Sequence, residues 1–452
     1  MSSATGSQEQ LRGAELRRSR RRVSEREISL GKDALERFLR YARIDTTSDP
    51  MSSSRPSTAG QLELGRLLID DLVALGIDDA QFTEGGHVFA TLGAAKCGET
   101  PTVGILAHLD TSPDASGAGV NPQIWRNYDG RPLIMPGRIE PVVTPDESPL
   151  LLERLGHDIV TADGTTLLGA DDKAGIAEIM AVVAYLIDNP ELARPRIRIA
   201  FMVDEEIGRG VEDFDLERFG ADFAYTLDGS NAGEVQNETF SAVQLTVTFT
   251  GVEIHPGDGK GRLVNPVKLA SDLVASLPRE ELSPETTEGR EGFIHPDLID
   301  GSAGTAVVTL LLRDFDSDLL EKQVLLVEQL VQAAVTSQPG ARAEVVRQDQ
   351  YRNMRETLDR YPHVTEAALE ANRRAGLSPR ITSERGGTDG ALLTAKGLPT
   401  PNLLAGGQEL HSTREWISVQ DMALAAECLL QLIQFWAEAQ PPAPNEPPSA
   451  GR

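Results

Sequence analysis

Two histidines and four carboxylates fall in this chain where they could hold metal ions or move a proton. His108 lies in the triplet His108-Leu109-Asp110, Asp171 in "LLGADDKAG", Glu205 and Glu206 in "DEEIG", Asp228 in "YTLDG", and His411 closes "NLLAGGQELH". Imidazole nitrogens and carboxylate oxygens, with no thiolate, suit Zn2+, Mn2+ or Co2+. Two ions sharing a bridging carboxylate need about five protein ligands, and five remain once one glutamate is set aside as a base. An aspartate two residues beyond a ligating histidine, as Asp110 is beyond His108, can take the second ring N–H and orient the imidazole. The chemistry indicated is metal-assisted hydrolysis.

Each group alone has a plainer use. A strand-terminal aspartate readily accepts backbone N–H groups as a cap or turn residue. His157, His295 and His363 lack acidic strand-end settings and are read as structural. The neighbours Glu205 and Glu206 are more telling, because adjacent buried carboxylates repel unless a cation or a proton compensates them. The conjunction of all these groups carries the argument.

Their positions are set by the elements around them. "TVGILAHLDT" (102–111), "RIRIAFMVDEEIG" (196–208) and "ADFAYTLDGS" (221–230) read as short apolar strands that end in the candidate residues. Residues 31–42, 59–75, 363–376 and 418–438 carry apolar positions at helical spacing. Strands separated by helices predict an α/β layer with a largely parallel sheet, whose sites lie beyond the carboxyl ends of the strands. From about residue 240 the texture changes. Strands at 242–251, 291–301, 305–316 and 341–351, with helices at 265–277 and 317–337, give the order β-α-β-β-α-β of a four-stranded sheet with two helices. An inserted domain over 240–352 would divide the first into 29–239 and 353–438.

The 452 residues are enough for two or three domains. A net charge of −26, from 69 acidic and 43 basic residues, argues against a nucleic-acid partner, which needs a basic face. No run of about 18 apolar residues predicts a membrane span. Cys97 and Cys428 are the only cysteines, which excludes a disulfide framework and a Cys-rich zinc site. Residues 1–28 read as a disordered basic tail without an apolar signal region, and 439–452 as a Pro-rich tail. A cytoplasmic protein is expected.

Ten segments extend the pattern in order: "HLDTSPDASG", "TADGTTLLGADDKAGIAEIM", "DEEIGRG", "YTLDG", "IHPGDGKGRLVNP", "TEGREGF", "RDFD", "YRNM", "RGGTDGA" and "GLPTPNLLAGG". With them, residues 31–438 resemble the peptidase T branch, the tripeptide aminopeptidases, of the di-zinc metallopeptidase family that also contains glutamate carboxypeptidases and deacylases. The resemblance implies a mixed-sheet α/β catalytic domain with an inserted ferredoxin-like α+β domain for lid and dimerisation. It implies two Zn2+ per subunit, with Co2+ or Mn2+ as alternatives, and a homodimer acting on short peptides. His108 and Asp228 would bind one ion, Glu206 and His411 the other, and Asp171 would bridge them. Asp110 would be the partner of His108, and Glu205 the general base. A cis peptide is implied between Asp171 and Asp172.

His255 is similar to the family's histidine that helps stabilise the oxyanion. Asn265, Arg313 and Arg385 are candidates for holding peptide backbone or carboxylate, since a guanidinium makes bidentate contacts. Ordinary salt bridges are the alternative use of the arginines. The chain departs from the pattern at Glu409 and Ser412, which flank His411 and bear on recognition of the substrate's amino terminus. A related di-zinc carboxypeptidase or N-acyl amino-acid deacylase would use the same ligands. A non-catalytic binding homologue would require a substituted base or ligand, and none is seen.

Overall fold

The long apolar strands assemble, in a computed structural model that describes residues 23–138 and 143–439, into one eight-stranded sheet. Its order is Gln81–Phe82, Val88–Leu92, Ile197–Met202, Val103–His108, Phe223–Gly229, Asn402–Leu404, Glu234–Thr239 and Arg380–Glu384. The four strands from Ile197–Met202 to Asn402–Leu404 run parallel, so their carboxyl ends open onto one edge. Val88–Leu92 and Glu234–Thr239 pair antiparallel on either side. The sheet is therefore mixed rather than largely parallel. The outer strands are short and some lack an apolar run of their own, so their direction is set by the sheet they join.

Val103–His108 and Ile197–Met202 are buried at every residue, as strands covered on both faces must be. Helix Ala170–Asp188 packs on one face with the helices Glu25–Tyr41 and Val419–Glu438. Gly175 lets it approach closely, since a side chain there would strike the carbonyl of Leu227 and the carboxylate of Asp172. The helix Glu25–Tyr41 begins within the span expected to be tail. The Ser24 hydroxyl caps it by accepting from the Glu27 amide at 3.1 Å, and Arg26 pairs with Glu427 of the last helix. The arginine-rich residues up to 22 and residues 440–452 lie outside the described residues.

Ser241–Thr250, Phe293–Gly301, Thr305–Asp314 and Arg342–Tyr351 form a separate antiparallel sheet, in the order second, third, first, fourth along the chain. Helices Pro266–Ala275 and Ser317–Ser337 close it over its own core of Val247, Phe249, Leu310, Leu320 and Val327. This is the ferredoxin-like arrangement that the strand order implied. A three-stranded sheet of Trp416–Ser418, Ile159–Thr161 and Gln123–Trp125 was not anticipated, because strands of three residues carry no readable periodicity. Among the described residues no helix is long and apolar enough to cross a membrane.

Candidate metal centre

The parallel strands deliver the chemistry at their carboxyl ends. Val103–His108 ends on His108, whose Nδ1 lies 3.1 Å from the Asp110 carbonyl oxygen and 3.4 Å from its carboxylate. The fully buried Asp110 also accepts from the amides of Glu205, at 3.0 Å, and Glu206, at 3.1 Å. One side chain thus fixes the ring of His108 and the turn carrying both glutamates. On the other side of that turn, Asp204 adopts a positive φ of 58°, and its carboxylate accepts from Ser57 and Gln61. Asp110→Ala is expected to weaken metal binding about 10- to 100-fold, the usual cost of losing a ligand's orienting partner. A competitive chelator titration measures it, and unchanged affinity would remove that role.

The run Asp171-Asp172-Lys173 sends its three charges in three directions. Asp171 Oδ1 lies 2.8 Å from His108 Nε2, and Oδ2 lies 3.4 Å from His411 Nε2. Asp172 turns beneath the strand and accepts from the backbone amides of His108 and Gly175, both at 3.2 Å. Lys173 is buried with its ammonium on the carbonyl of Ile44 at 2.8 Å, where burial lowers its pKa to about 8. The peptide between Asp171 and Asp172 is cis. Glu415 holds the turn, accepting from the amides of Leu168 at 2.7 Å, Gly169 at 2.8 Å and Asp171 at 3.1 Å. Nothing in the sequence around Glu415 marked it, because its partners lie more than 240 residues away.

Two donor groups meet around Asp171. His108 Nε2 faces Asp171 and, at 3.9 Å, Asp228; His411 Nε2 faces Asp171 and, at 2.9 Å, Glu206. His108, Asp171 and Glu206 offer donor atoms within 4.8 Å of one another, as do His108, Asp172 and Asp228. Asp172 is already committed to backbone amides, which leaves Asp171 as the central carboxylate. Burial pushes Glu205 and Glu206 up to about 8 and Asp228 well above the usual carboxylate range, and the charge of Asp171 adds to each shift. Hydrogen bonds to Asp171 and Glu206 lift His411 to about 11. Glu206 Oε1 is buried with no hydrogen-bond partner among the described residues. Crowded buried carboxylates with an orphaned oxygen, beside two imidazoles whose second nitrogens face other groups, fit divalent cations.

The Glu205 carboxylate is drawn into no hydrogen bond or ion pair among the described residues; only its backbone is held, the amide by Asp110 and the carbonyl by the Gly208 amide at 2.7 Å. Asp389 stands foremost among the carboxylates that add to the effect of burial on Glu205. It lies against Gly210, with neither oxygen hydrogen-bonded among the described residues.

Residues 161–434 match the family described as peptidase family M20/M25/M40. The chain belongs to that family. A relative named Peptidase T from Geobacillus kaustophilus is 42% identical over 406 residues, covering 90% of this chain and 98% of its own. Among solved structures, a tripeptidase from Staphylococcus aureus superposes with a TM-score of 0.71 at 22% identity, covering 90% of this peptidase and 99% of itself. A dinuclear metal-binding M20 peptidase from Bacillus subtilis gives a TM-score of 0.60 at 13% identity, with coverages of 91% and 99%. These two establish the shared fold.

The remaining sequence candidates of the peptidase stand apart from the donor cluster. His255 is exposed in the inserted unit, its Nδ1 accepting from the Gly257 amide at 3.2 Å. Asn265 caps helix Pro266–Ala275 through the Val267 amide at 2.9 Å. Arg385 donates to the carbonyls of Gly289 and Glu291, at 3.1 and 2.9 Å, and to Thr287, and it stacks over Phe240 and Phe293. It thereby fastens the "TEGREGF" segment. Beside His411, Ser412 closes the turn by donating to the Glu409 carbonyl at 2.6 Å, and the Glu409 carboxylate lies 3.6 Å from Arg414. His157 bonds Ser418 at 2.8 Å and His363 packs among Phe223, Tyr361 and Trp436, both in structural settings.

Proposed function

We propose that this peptidase is a tripeptide aminopeptidase working with two divalent metal ions, zinc by ligand type. His108 and Asp228 would hold one ion, Glu206 and His411 the other, with Asp171 shared. When bound, such ions lower the pKa of water and polarise the scissile carbonyl. The remaining work falls to the chain. Asp110 keeps the His108 ring turned toward the cluster and holds the backbone that presents Glu205. Glu205 takes a proton from the attacking water as the carbon–oxygen bond forms and delivers it to the amine nitrogen as the carbon–nitrogen bond breaks. Its carboxylate is suited to this because no other group claims it.

The observation that carries the reading is this unengaged Glu205 beside five convergent donors, in a chain 42% identical to a Peptidase T over nearly its full length. His255 belongs to the inserted unit and has no described contact with the cluster, which suits a homodimer in which one subunit's histidine serves its partner's site. Exposed Leu298, Ile299 and Val346 on that unit suit the same assembly. Two free cysteines fit a reducing cytoplasm. The test is hydrolysis of trialanine beside N-acetyl-trialanine, with and without chelator, with products identified by mass. Chelator-sensitive release of the first residue from the free peptide alone is expected. Release of acetate, or of the last residue, would transfer the assignment to a deacylase or a carboxypeptidase.

A further inference from the structure

Of the five convergent donors, His411 alone is exposed. Its Nε2 faces Asp171 and Glu206, so Nδ1 is the ring nitrogen left to carry a proton. A ligating imidazole is held in place when that second N–H meets an acceptor. For His108 the acceptor is the buried Asp110. For His411 the carboxylate at Nδ1 is Asp114, whose Oδ2 lies 3.5 Å away. A small rotation of either exposed side chain closes that gap to a hydrogen bond.

Asp114 stands there because its loop is tied down along its length. The loop leaves strand Val103–His108 through Asp110, and Thr111 donates to the Thr46 carbonyl at 3.2 Å while accepting from the Ser48 amide at 3.1 Å. Ser112 Oγ then accepts from the Asp114 amide at 3.3 Å. Beyond it, the Ser116 carbonyl accepts from the Leu167 amide at 3.0 Å and Thr47 Oγ1 from the Gly117 amide at 3.3 Å. Among the described residues the Asp114 carboxylate has no partner other than His411.

We propose that Asp114 is the positioning residue for His411, accepting from Nδ1 and keeping Nε2 aimed between Asp171 and Glu206. This rests on the two-metal reading. One strand end then orients both imidazoles, His108 through Asp110 and His411 through Asp114. Because Asp114 is exposed where Asp110 is buried, its effect falls at the low end of the range for such partners.

The test is a chelator competition that resolves the two ions, run on Asp114→Ala and Asp114→Asn. In the alanine variant one ion should bind about tenfold more weakly and the other as before. Asparagine still offers an oxygen to Nδ1, and its variant should lose less than about threefold. His411→Ala and the double variant with Asp114→Ala should bind alike, since a group acting only through the ring has nothing left to orient. The thermal midpoint of metal-free Asp114→Ala should match that of the unmodified protein, because the carboxylate holds nothing else. Unchanged affinity for both ions, or a further loss on adding Asp114→Ala to His411→Ala, would overturn the role. So would a raised KM for trialanine at saturating metal with both affinities intact, which would make Asp114 a contact of the substrate's ammonium. If the unmodified protein binds fewer than two ions, the two-metal reading fails first and this role falls with it.

Discussion

Glu205→Gln is expected to lower kcat on a free tripeptide by on the order of 10³-fold, within the range for loss of a positioned general base. The amide has the shape of the carboxylate and cannot accept the proton. Glu205 is not among the five convergent donors, so bound metal, measured by elemental analysis, should stay at the unmodified level. The fold should also persist, since Glu205 is held only by its backbone, and the bonds of its amide to Asp110 and of its carbonyl to the Gly208 amide survive the substitution. The thermal midpoint should stay or rise, because burial penalises the charge that glutamine removes. His411→Ala makes the contrast: it removes a donor facing Asp171 and Glu206, and both metal content and activity should fall. Near-normal turnover in Glu205→Gln would end its assignment as the base.

Glu415→Ala should damage folding and metal binding together. Its carboxylate accepts from two buried amides and the partly buried amide of Asp171, and alanine leaves all three donors without that partner. Unsatisfied buried donors cost roughly 1–3 kcal/mol each, and partial relaxation would leave a loss of about 4 kcal/mol in all. The same bonds hold the turn that aims Asp171, so metal affinity should drop about 10- to 100-fold. Urea unfolding of the metal-free protein reads the first effect and a chelator competition the second. Wild-type metal affinity in a destabilised variant would mean that Asp171 is aimed by something else.

The candidate donors were legible because strand-terminal acids and histidines are a local pattern: an apolar run stops and the polar group follows at once. His108, Asp171, Glu206 and Asp228 all read this way, and His411 follows a strand and a glycine pair. The β-α-β-β-α-β order of the inserted unit was equally local, each element carrying its own periodicity. The partners of those residues were not legible. Asp110 bonds amides 95 and 96 positions away, and Asp172 bonds an amide 64 positions back along the chain. Nothing in the composition around Asp171-Asp172-Lys173 says which of the three charges faces the cluster. The substrate-facing candidates were the least legible. Arg385 has the residue type that grips a carboxylate, yet its donors are spent on the carbonyls of the "TEGREGF" segment.

By itself the sequence determined the residue types at the strand ends, the order of the elements and, through both, a family of metal-dependent hydrolases. The tertiary structure alone decided which carboxylate meets two imidazoles, which lies under the strand, and which distant side chain satisfies the turn between them. The physical reason is one of range. Periodicity and capping act between near neighbours in the chain, whereas a buried carboxylate takes its role from whichever charges and amides the fold brings within about 4 Å of it.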